Sequence, residues 1–289
     1  MIPSLTLMKT LFAAFLLALL AGCATTPSGP RIDKTYNAKS QSSRVKYVIL
    51  HYTVGTFPSS LRTLTEEVVS SHYLLSDEAK PVIYSLVDEN RQANHAGVSF
   101  WKNYTLLNSS SIGIEIVNHG FTQTPTGRVW QPFPQAQIDE LIVLLKDIVA
   151  RHHIPPENIL GHSDIAPQRK QDPGPMFPWF QLAQAGLVTW PDAARVTAAR
   201  PAFEQQLPDV AWFQKKLALH GYAVPQTGEL DEATRNVVTA FQMKYRPAFI
   251  EGAPDAETAA LLEVLTTPAA KVPAPLPARP EGAAQEDPK

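Results

Sequence analysis

The chain has 289 residues, of which 44% are hydrophobic and 18% charged, and its formal net charge is −2. This length suggests two domains or one large one, and the apolar fraction excludes a largely disordered chain. The weak charge gives no indication of a nucleic-acid-binding protein. The single cysteine, Cys23, excludes an intrachain disulfide bond.

The N-terminal residues have the pattern of an export signal. Lys9 precedes an apolar run over residues 11–20. A membrane-spanning helix needs about 20 apolar residues, so this run is too short to span a bilayer and is typical of a secretory signal peptide. The run ends in Leu-Ala-Gly-Cys at residues 20–23, which resembles the lipobox of bacterial lipoproteins. That resemblance implies removal of residues 1–22 and acylation of Cys23, and an ordinary cleaved signal is the alternative.

The residues after the cysteine bear on where the protein is located. Ala24 follows Cys23 where inner-membrane lipoproteins have Asp, so the resemblance implies an outer-membrane lipoprotein that faces the periplasm. Residues 23–44 contain many Ser, Thr, Pro and Gly residues and are predicted to form a lipidated N terminus and a flexible tether. No later segment is predicted to cross a membrane.

Residues 45–190 are predicted to form one α/β domain, because strand and helix patterns are mixed along this part of the chain. An apolar run over 45–50 is typical of a buried strand, and residues 60–75 are predicted to form a helix. The clearest helix is predicted over 135–151, where apolar residues recur at every third or fourth position.

A second strand, predicted over residues 111–118, carries a carboxylate. Side chains alternate along a strand, so Glu115 is expected on the face opposite to Ile112, Ile114 and Ile116. A carboxylate buried in a sheet without a partner is costly. We therefore expect this face to open on a polar cleft or a metal, or Glu115 to form an ion pair with Lys or Arg.

The C-terminal part predicts a second, smaller domain after a linker with some helical content over 191–208. The pattern G-x-x-D-x-x-T occurs twice, from Gly228 and from Gly252. Each copy predicts a tight turn followed by an Asp that caps the next helix. Residues 209–266 are therefore predicted to form a three-helix domain, and 267–289, rich in Pro, Ala and charge, a disordered tail.

Three residues could supply a metal site. His51 ends the first predicted strand, and His162 and Asp172 lie in later loops that contain Gly and Pro. A catalytic zinc ion requires three protein ligands and an open position for water. Each residue also has a structural alternative, since a lone His is often a hydrogen-bonded core residue and Asp172 precedes a proline. The chain contains neither G-x-S-x-G nor H-E-x-x-H, which argues against a serine-hydrolase elbow and a zincin protease.

Four segments in this order resemble the zinc-dependent N-acetylmuramoyl-L-alanine amidase family, whose fold is shared with peptidoglycan recognition proteins. They are ILHYT at 49–53, SIGIE at 111–115, GHSDIAP at 161–167 and KQDPGP at 170–175. The resemblance covers about residues 40–185. It implies a mixed central β-sheet flanked by helices, and the C-terminal repeat resembles the peptidoglycan-binding domain of many wall hydrolases.

The resemblance also implies roles for individual residues. Three of them would bind one Zn²⁺ per chain: His51, His162 and Asp172. Glu115 would be the general base, and Lys170 would stabilise the oxyanion. Three further residues are expected to contact substrate: His72, His95 and Asn118. For the two histidines, a structural hydrogen-bonded role is equally compatible with the sequence.

The residues and the resemblance together predict a monomeric enzyme that hydrolyses the amide between the lactyl group of N-acetylmuramic acid and L-alanine during wall turnover. Its expected partners are muropeptides and the membrane, and no nucleic acid. The C-terminal domain is expected to add affinity for the wall, so that a chain ending near Val196 would still fold and act on small substrates. Two alternatives stay open, a non-catalytic peptidoglycan-binding lipoprotein and a zinc peptidase that acts within the stem peptide.

Overall fold

The computed structural model describes residues 29–30 and 32–268, so the predicted signal peptide, Cys23 and residues 269–289 lie outside the described residues. The contacts within the chain divide it into two units, with the boundary after Ser42. All helices and strands that the structure describes belong to the unit that begins at Ser43. In the described part of the predicted tether, residues 32–44 contain no helix or strand. Within the described ranges, no helix combines the length and the apolar character that a membrane crossing requires.

A five-stranded sheet forms the centre of the first domain, with the strand order β3-β2-β6-β1-β9. The strands are β1 (Tyr47–Tyr52), β2 (Tyr73–Leu75), β3 (Ile83–Ser85), β4 (Phe100–Trp101), β5 (Tyr104–Thr105), β6 (Ser111–Ile116), β7 (Phe121–Thr124), β8 (Gly127–Trp130) and β9 (Ile159–Gly161). Only the β2–β3 pair of the large sheet is antiparallel. The remaining strands form two small hairpins, β4–β5 and β7–β8. The sheet is therefore mixed, as the sequence predicts.

The helices that the structure describes divide between the two domains. They are α1 (Phe57–Glu66), α2 (Gln135–His152), α3 (His162–Ile165), α4 (Trp179–Gln184), α5 (Ala193–Gln205), α6 (Val210–His220), α7 (Glu232–Tyr245) and α8 (Ala256–Thr266). The first four belong to the α/β domain and the last three form the predicted three-helix domain. The predicted linker is largely the helix α5, which packs against α8.

The two faces of the central strands have different roles. One face of β1 and β6 is buried with the apolar side of α2 in a single core, which confirms the predicted alternation and the predicted helix. The residues of that core include Val48, Leu50, Ile112, Ile114, Ile116, Ile138, Leu141, Leu145 and Ile148. Because side chains alternate, the opposite face presents His51 and Glu115, which are register partners on neighbouring strands.

The prediction of a helix over residues 60–75 is wrong for the second half of that range. The helix α1 ends at Glu66, and Tyr73–Leu75 form the strand β2 beside β6. Leu74 and Leu75 are both fully buried but belong to cores on different sides of the sheet. A strand with two buried faces has no alternating pattern, so its apolar run could not be distinguished from a helix.

The predicted caps of the C-terminal helices are confirmed. Asp231 accepts a hydrogen bond from the backbone N–H of Thr234 at 2.7 Å, and Asp255 accepts one from Thr258 at 2.9 Å. The preceding Gly252 has a φ of 66°, a conformation in which a residue with a side chain would be strained. The repeated motif is therefore a turn followed by an N-cap in both copies.

One of the hydrophobic cores contains residues of both domains. Tyr47 and Trp101 of the α/β domain are buried in the same cluster as Phe213 and Tyr222 of the C-terminal domain. The Trp101 and Tyr222 rings meet edge to face, with centroids 5.0 Å apart. Gly221 lies so close that a Cβ there would come within 2.7 Å of the Trp101 ring. The C-terminal domain is thus packed tightly against the α/β domain.

Candidate metal centre and catalytic cleft

The three predicted ligands converge at the carboxyl ends of two neighbouring parallel strands. His51 is the fifth residue of β1, His162 directly follows β9, and Asp172 lies in the next loop. Nδ1 of His51 lies 3.0 Å from Nδ1 of His162 and 3.0 Å from Oδ2 of Asp172. Nδ1 of His162 lies 3.1 Å from the same carboxylate oxygen. These three buried residues form the group that could hold a metal ion among the described residues.

These spacings fit a tetrahedral zinc ion. Nitrogen and oxygen ligands about 2.0–2.1 Å from zinc lie about 3.3 Å from one another in a tetrahedron. Two histidines and one carboxylate also leave the fourth position for water, as in catalytic zinc sites. The donor set and its geometry therefore match the predicted cofactor.

A chain of hydrogen bonds orients His51. The Ser111 hydroxyl donates to the carbonyl of Leu107 at 2.6 Å, so its oxygen accepts from Nε2 of His95 at 3.2 Å. Burial lowers the pKa of His95 well below its usual value, so its ring is neutral and Nδ1 is an acceptor. It then accepts from Nε2 of His51 at 3.1 Å. The lone pair of His51 is thereby left on Nδ1, where the ligands converge.

The second histidine ligand is oriented by the backbone. Nε2 of His162 lies 3.2 Å from the carbonyl oxygen of Ala96. Nη2 of Arg169, which can only donate, also lies 3.3 Å from this nitrogen. When Nδ1 binds a metal, Nε2 carries the ring proton and the carbonyl of Ala96 accepts it. Arg169 donates to the same carbonyl and to that of Val98, the latter at 2.8 Å, and so fixes the loop that contains them.

The ionisation of the ligands agrees with metal binding. Burial, together with the neighbouring His162, lowers the pKa of His51 to about 4. Burial would raise the pKa of Asp172, but the two histidines outweigh it and hold the pKa far below its usual value. The site thus offers a neutral imidazole and a carboxylate, the forms that bind zinc.

Glu115 and Lys170 lie in the same cleft as the ligands. The cleft has a volume of about 350 Å³ and is lined by all three ligands, Glu115, Lys170 and His95, among others. Oε2 of Glu115 is buried and has no hydrogen-bond partner within the described part of the chain. Burial and the Asp172 carboxylate raise the pKa of Glu115 well above its usual value, and Lys170 opposes the shift. The sequence left open whether Glu115 faces a polar cleft, a metal or an ion-pair partner. Its surroundings fit a polar cleft beside a metal site best.

His72 and Asn118, for which substrate contacts are predicted, are buried and hydrogen-bonded within the chain. His72 is fully buried; its Nδ1 accepts from the N–H of Gly113 at 3.0 Å, and its Nε2 lies 3.2 Å from the carbonyl of Arg91. Asn118 is also buried and accepts from the N–H of Gly120 at 2.7 Å. Its amide group donates to the carbonyls of Gln131 and Pro132. Both side chains use their polar atoms to fix neighbouring backbone.

His95 does line the cleft, but its two ring nitrogens are bonded to His51 and Ser111. The absence of a side chain at Gly113 makes room for it, because a Cβ there would overlap the imidazole ring. His95 therefore lies behind the ligand His51, and both of its ring nitrogens are used in hydrogen bonds within the chain. Sequence analysis missed the supporting roles of Ser111 and Arg169, whose partners come from distant segments.

Two sequence profiles of known domains match parts of the chain. A sequence profile described as N-acetylmuramoyl-L-alanine amidase matches residues 41–175, and one described as putative peptidoglycan binding domain matches residues 206–262. The chain is 46% identical over 258 residues to N-acetylmuramoyl-L-alanine amidase AmiD of Escherichia coli (strain K12), covering 86% of this chain and 93% of that protein.

Two solved structures resemble this chain over 82% of its length. One is E. coli AmiD in complex with the substrate anhydro-N-acetylmuramic acid-L-Ala-D-γ-Glu-L-Lys, with a TM-score of 0.75 and 45% identity over 82% of this chain and 94% of that one. The other is AmpDh3 of Pseudomonas aeruginosa in complex with an anhydromuramic pentapeptide, with a TM-score of 0.75 and 36% identity over 82% and 97% of the two chains.

Proposed function

This chain belongs to the N-acetylmuramoyl-L-alanine amidase family, and we propose that Glu115 and Lys170 are the residues that carry out its reaction. It is a zinc-dependent hydrolase of the amide between the lactyl group of N-acetylmuramic acid and L-alanine in peptidoglycan. One observation carries the proposed roles: Glu115, whose Oε2 has no hydrogen-bond partner among the described residues, lines the same cleft as the three converging ligands.

His51, His162 and Asp172 hold the metal, whose chemistry is to lower the pKa of water toward about 7 and to polarise the substrate carbonyl. Glu115 is the general base. Its buried Oε2 accepts the proton of the attacking water and then delivers it to the nitrogen of the departing alanine. The desolvation that raises its pKa also makes the carboxylate a better proton acceptor.

Lys170 is the oxyanion-stabilising group. It lines the cleft with Glu115 and the ligands, and its positive charge is near enough to oppose the rise in the Glu115 pKa. An ammonium group in this position offsets the negative charge that develops on the carbonyl oxygen during attack. The products are a free lactyl carboxylate on the sugar and a stem peptide that begins with L-alanine.

Two substitutions test these roles. Glu115→Gln preserves the shape of the side chain but removes its ability to accept a proton, so kcat should fall by about 10²–10⁴-fold while zinc content stays at one ion per chain. Lys170→Ala should lower kcat by about 10²–10³-fold, also with zinc retained. A near-normal kcat for Glu115→Gln would refute the general-base role.

We propose further that the protein is an outer-membrane lipoprotein anchored through Cys23 and that it acts as a monomer in the periplasm. The lipobox-like residues 20–23 support the anchor. The profile match over 206–262 supports a wall-binding role for the C-terminal domain. Fatty-acid labelling of cells should mark the wild-type protein, and label that persists in Cys23→Ser would refute the anchor.

A further inference from the structure

A buried carboxylate joins the metal centre to the C-terminal domain. Asp164 lies two residues after the ligand His162 in α3, and its side chain is 1% exposed. Its Oδ1 accepts from the hydroxyl of Tyr222 at 2.6 Å. Its Oδ2 accepts from Nζ of Lys244 at 2.7 Å and from the N–H of Gly161 at 2.8 Å. Two of these three donors belong to the C-terminal domain.

The two donors from the C-terminal domain are held firmly. The side chain of Lys244 is 5% exposed, and its Nζ lies 4.2 Å from the centroid of the Trp179 ring in the α/β domain. Burial raises the pKa of Tyr222 well above its usual value, so the phenol keeps its proton and donates it. A buried ion pair of this kind is strongly destabilised when one partner is removed, because the other charge is left without compensation.

The segment that Asp164 fixes determines the position of two ligands. The helix α3 has only four residues and carries His162. The N–H of Ser163 in the same helix donates to the carbonyl of Asp172 at 2.9 Å. A helix of one turn has little stability of its own. Its position, and with it the geometry of both ligands, therefore depends on tertiary contacts such as those of Asp164.

We propose that the C-terminal domain is a positioning part of the metal centre: Lys244 and Tyr222 act through Asp164 to hold α3, so that His162 and Asp172 stay in zinc-binding geometry. This role is separate from binding of the wall. It rests on the metal centre and does not depend on the roles proposed for Glu115 and Lys170. Partners beyond the ligands themselves typically change metal affinity by about 10–100-fold when they are lost.

The test compares two buried cations in the full-length chain. Arg246 lies two residues beyond Lys244, its side chain is 9% exposed, and it pairs with Asp255 inside the C-terminal domain. Lys244→Met and Arg246→Met therefore each remove a buried cation beside a carboxylate, but only Lys244 contacts Asp164. Zinc affinity is measured by competition with a chromophoric chelator, at a temperature where circular dichroism shows each variant to be folded.

Lys244→Met should bind zinc about 10–100-fold more weakly than the wild-type chain. Arg246→Met should lower the Tm and leave the zinc affinity unchanged. Tyr222→Phe retains the aromatic ring and removes one donor to Asp164, so it should weaken zinc binding by a smaller factor and remain folded. The KM for a small soluble muropeptide, measured at saturating zinc, should stay the same in Tyr222→Phe, because neither Tyr222 nor Asp164 lines the substrate cleft.

Two results would overturn the proposal. The first is wild-type zinc affinity in folded Lys244→Met and Tyr222→Phe. The second is an equal loss of affinity in Arg246→Met, which would indicate a general effect of domain stability. If Lys244→Met does not fold, the comparison of Tyr222→Phe with Arg246→Met decides between the outcomes.

Discussion

At the scale of single residues, each histidine ligand is defined by the partner of its other ring nitrogen. His51 donates to His95 and His162 donates to the carbonyl of Ala96, which leaves Nδ1 of both rings for the metal. The three predicted ligands converge in the fold, and the sequence could indicate them because they lie in short segments with a recognisable pattern. The supporting partners follow only from the fold, since Ser111 and His95 become neighbours through packing.

The hydrogen bond from His51 to His95 leads to a prediction about zinc affinity. The substitution His95→Phe still fills the space beside Gly113 with a ring, but the phenyl ring cannot accept a hydrogen bond from Nε2 of His51. His51 then loses the partner that fixes its orientation. Zinc affinity should fall by about 10–100-fold. Competition with a chelator measures the affinity, and an unchanged value in a folded variant would show that His95 only fills space.

At the scale of elements, how well the sequence predicts a strand or helix depends on whether one face is exposed. The apolar positions of α2 recur with the helical period because its other side faces solvent, and the prediction is confirmed. The strand β2 has neighbouring strands on both edges and apolar residues on both faces. Its sequence therefore has no alternation of polar and apolar residues that would distinguish it from a helix. Tertiary burial, rather than local preference, makes Tyr73–Leu75 a strand.

The end of α2 is joined to a loop by a carboxylate whose ionisation affects stability. Burial would raise the pKa of Glu89, but hydrogen bonds from Arg151, His152 and Tyr73 outweigh it and lower the pKa to about 2 from the usual 4.5. The unfolded chain therefore binds this proton more readily than the folded one. The stabilising contribution of Glu89 is complete above about pH 4.5 and is lost as the pH falls toward 2.

Denaturant unfolding between pH 6 and pH 3 tests this dependence. The free energy of unfolding of the wild-type chain should decrease with falling pH more steeply than that of Glu89→Gln, which has no charge to lose at this position. The difference between the two proteins isolates Glu89 from other acid-sensitive groups. Parallel curves over this range would contradict the assignment.

At the scale of the whole molecule, the shared core and the Asp164 network join the two domains more closely than the sequence suggests. Sequence repeats identified the C-terminal helices and their caps, because those features are local. The packing of Trp101 against Tyr222, and of Lys244 against Asp164, joins residues that are far apart in the chain. Such contacts have no local pattern, so the sequence could not reveal how the domains depend on each other.

This packing changes what we expect of a chain that ends near Val196. Removing the C-terminal domain would expose Tyr47 and Trp101, which are now 2% exposed, and leave Asp164 without two of its three donors. We expect the shortened chain to be poorly soluble or to bind zinc weakly. A soluble, zinc-loaded product with full activity on small muropeptides would instead support the independent catalytic domain that the sequence predicts.

The central claim is that this chain uses zinc to cut the bond between N-acetylmuramic acid and L-alanine. Its most direct test is mass spectrometry of the products from one purified muropeptide, incubated with the zinc-loaded chain, the metal-free chain and the metal-free chain after zinc is restored. We predict an intact stem peptide that begins with L-alanine and a sugar with a free lactyl carboxylate, formed only when zinc is present. Cleavage within the stem peptide, or the same products at full rate without metal, would contradict the claim.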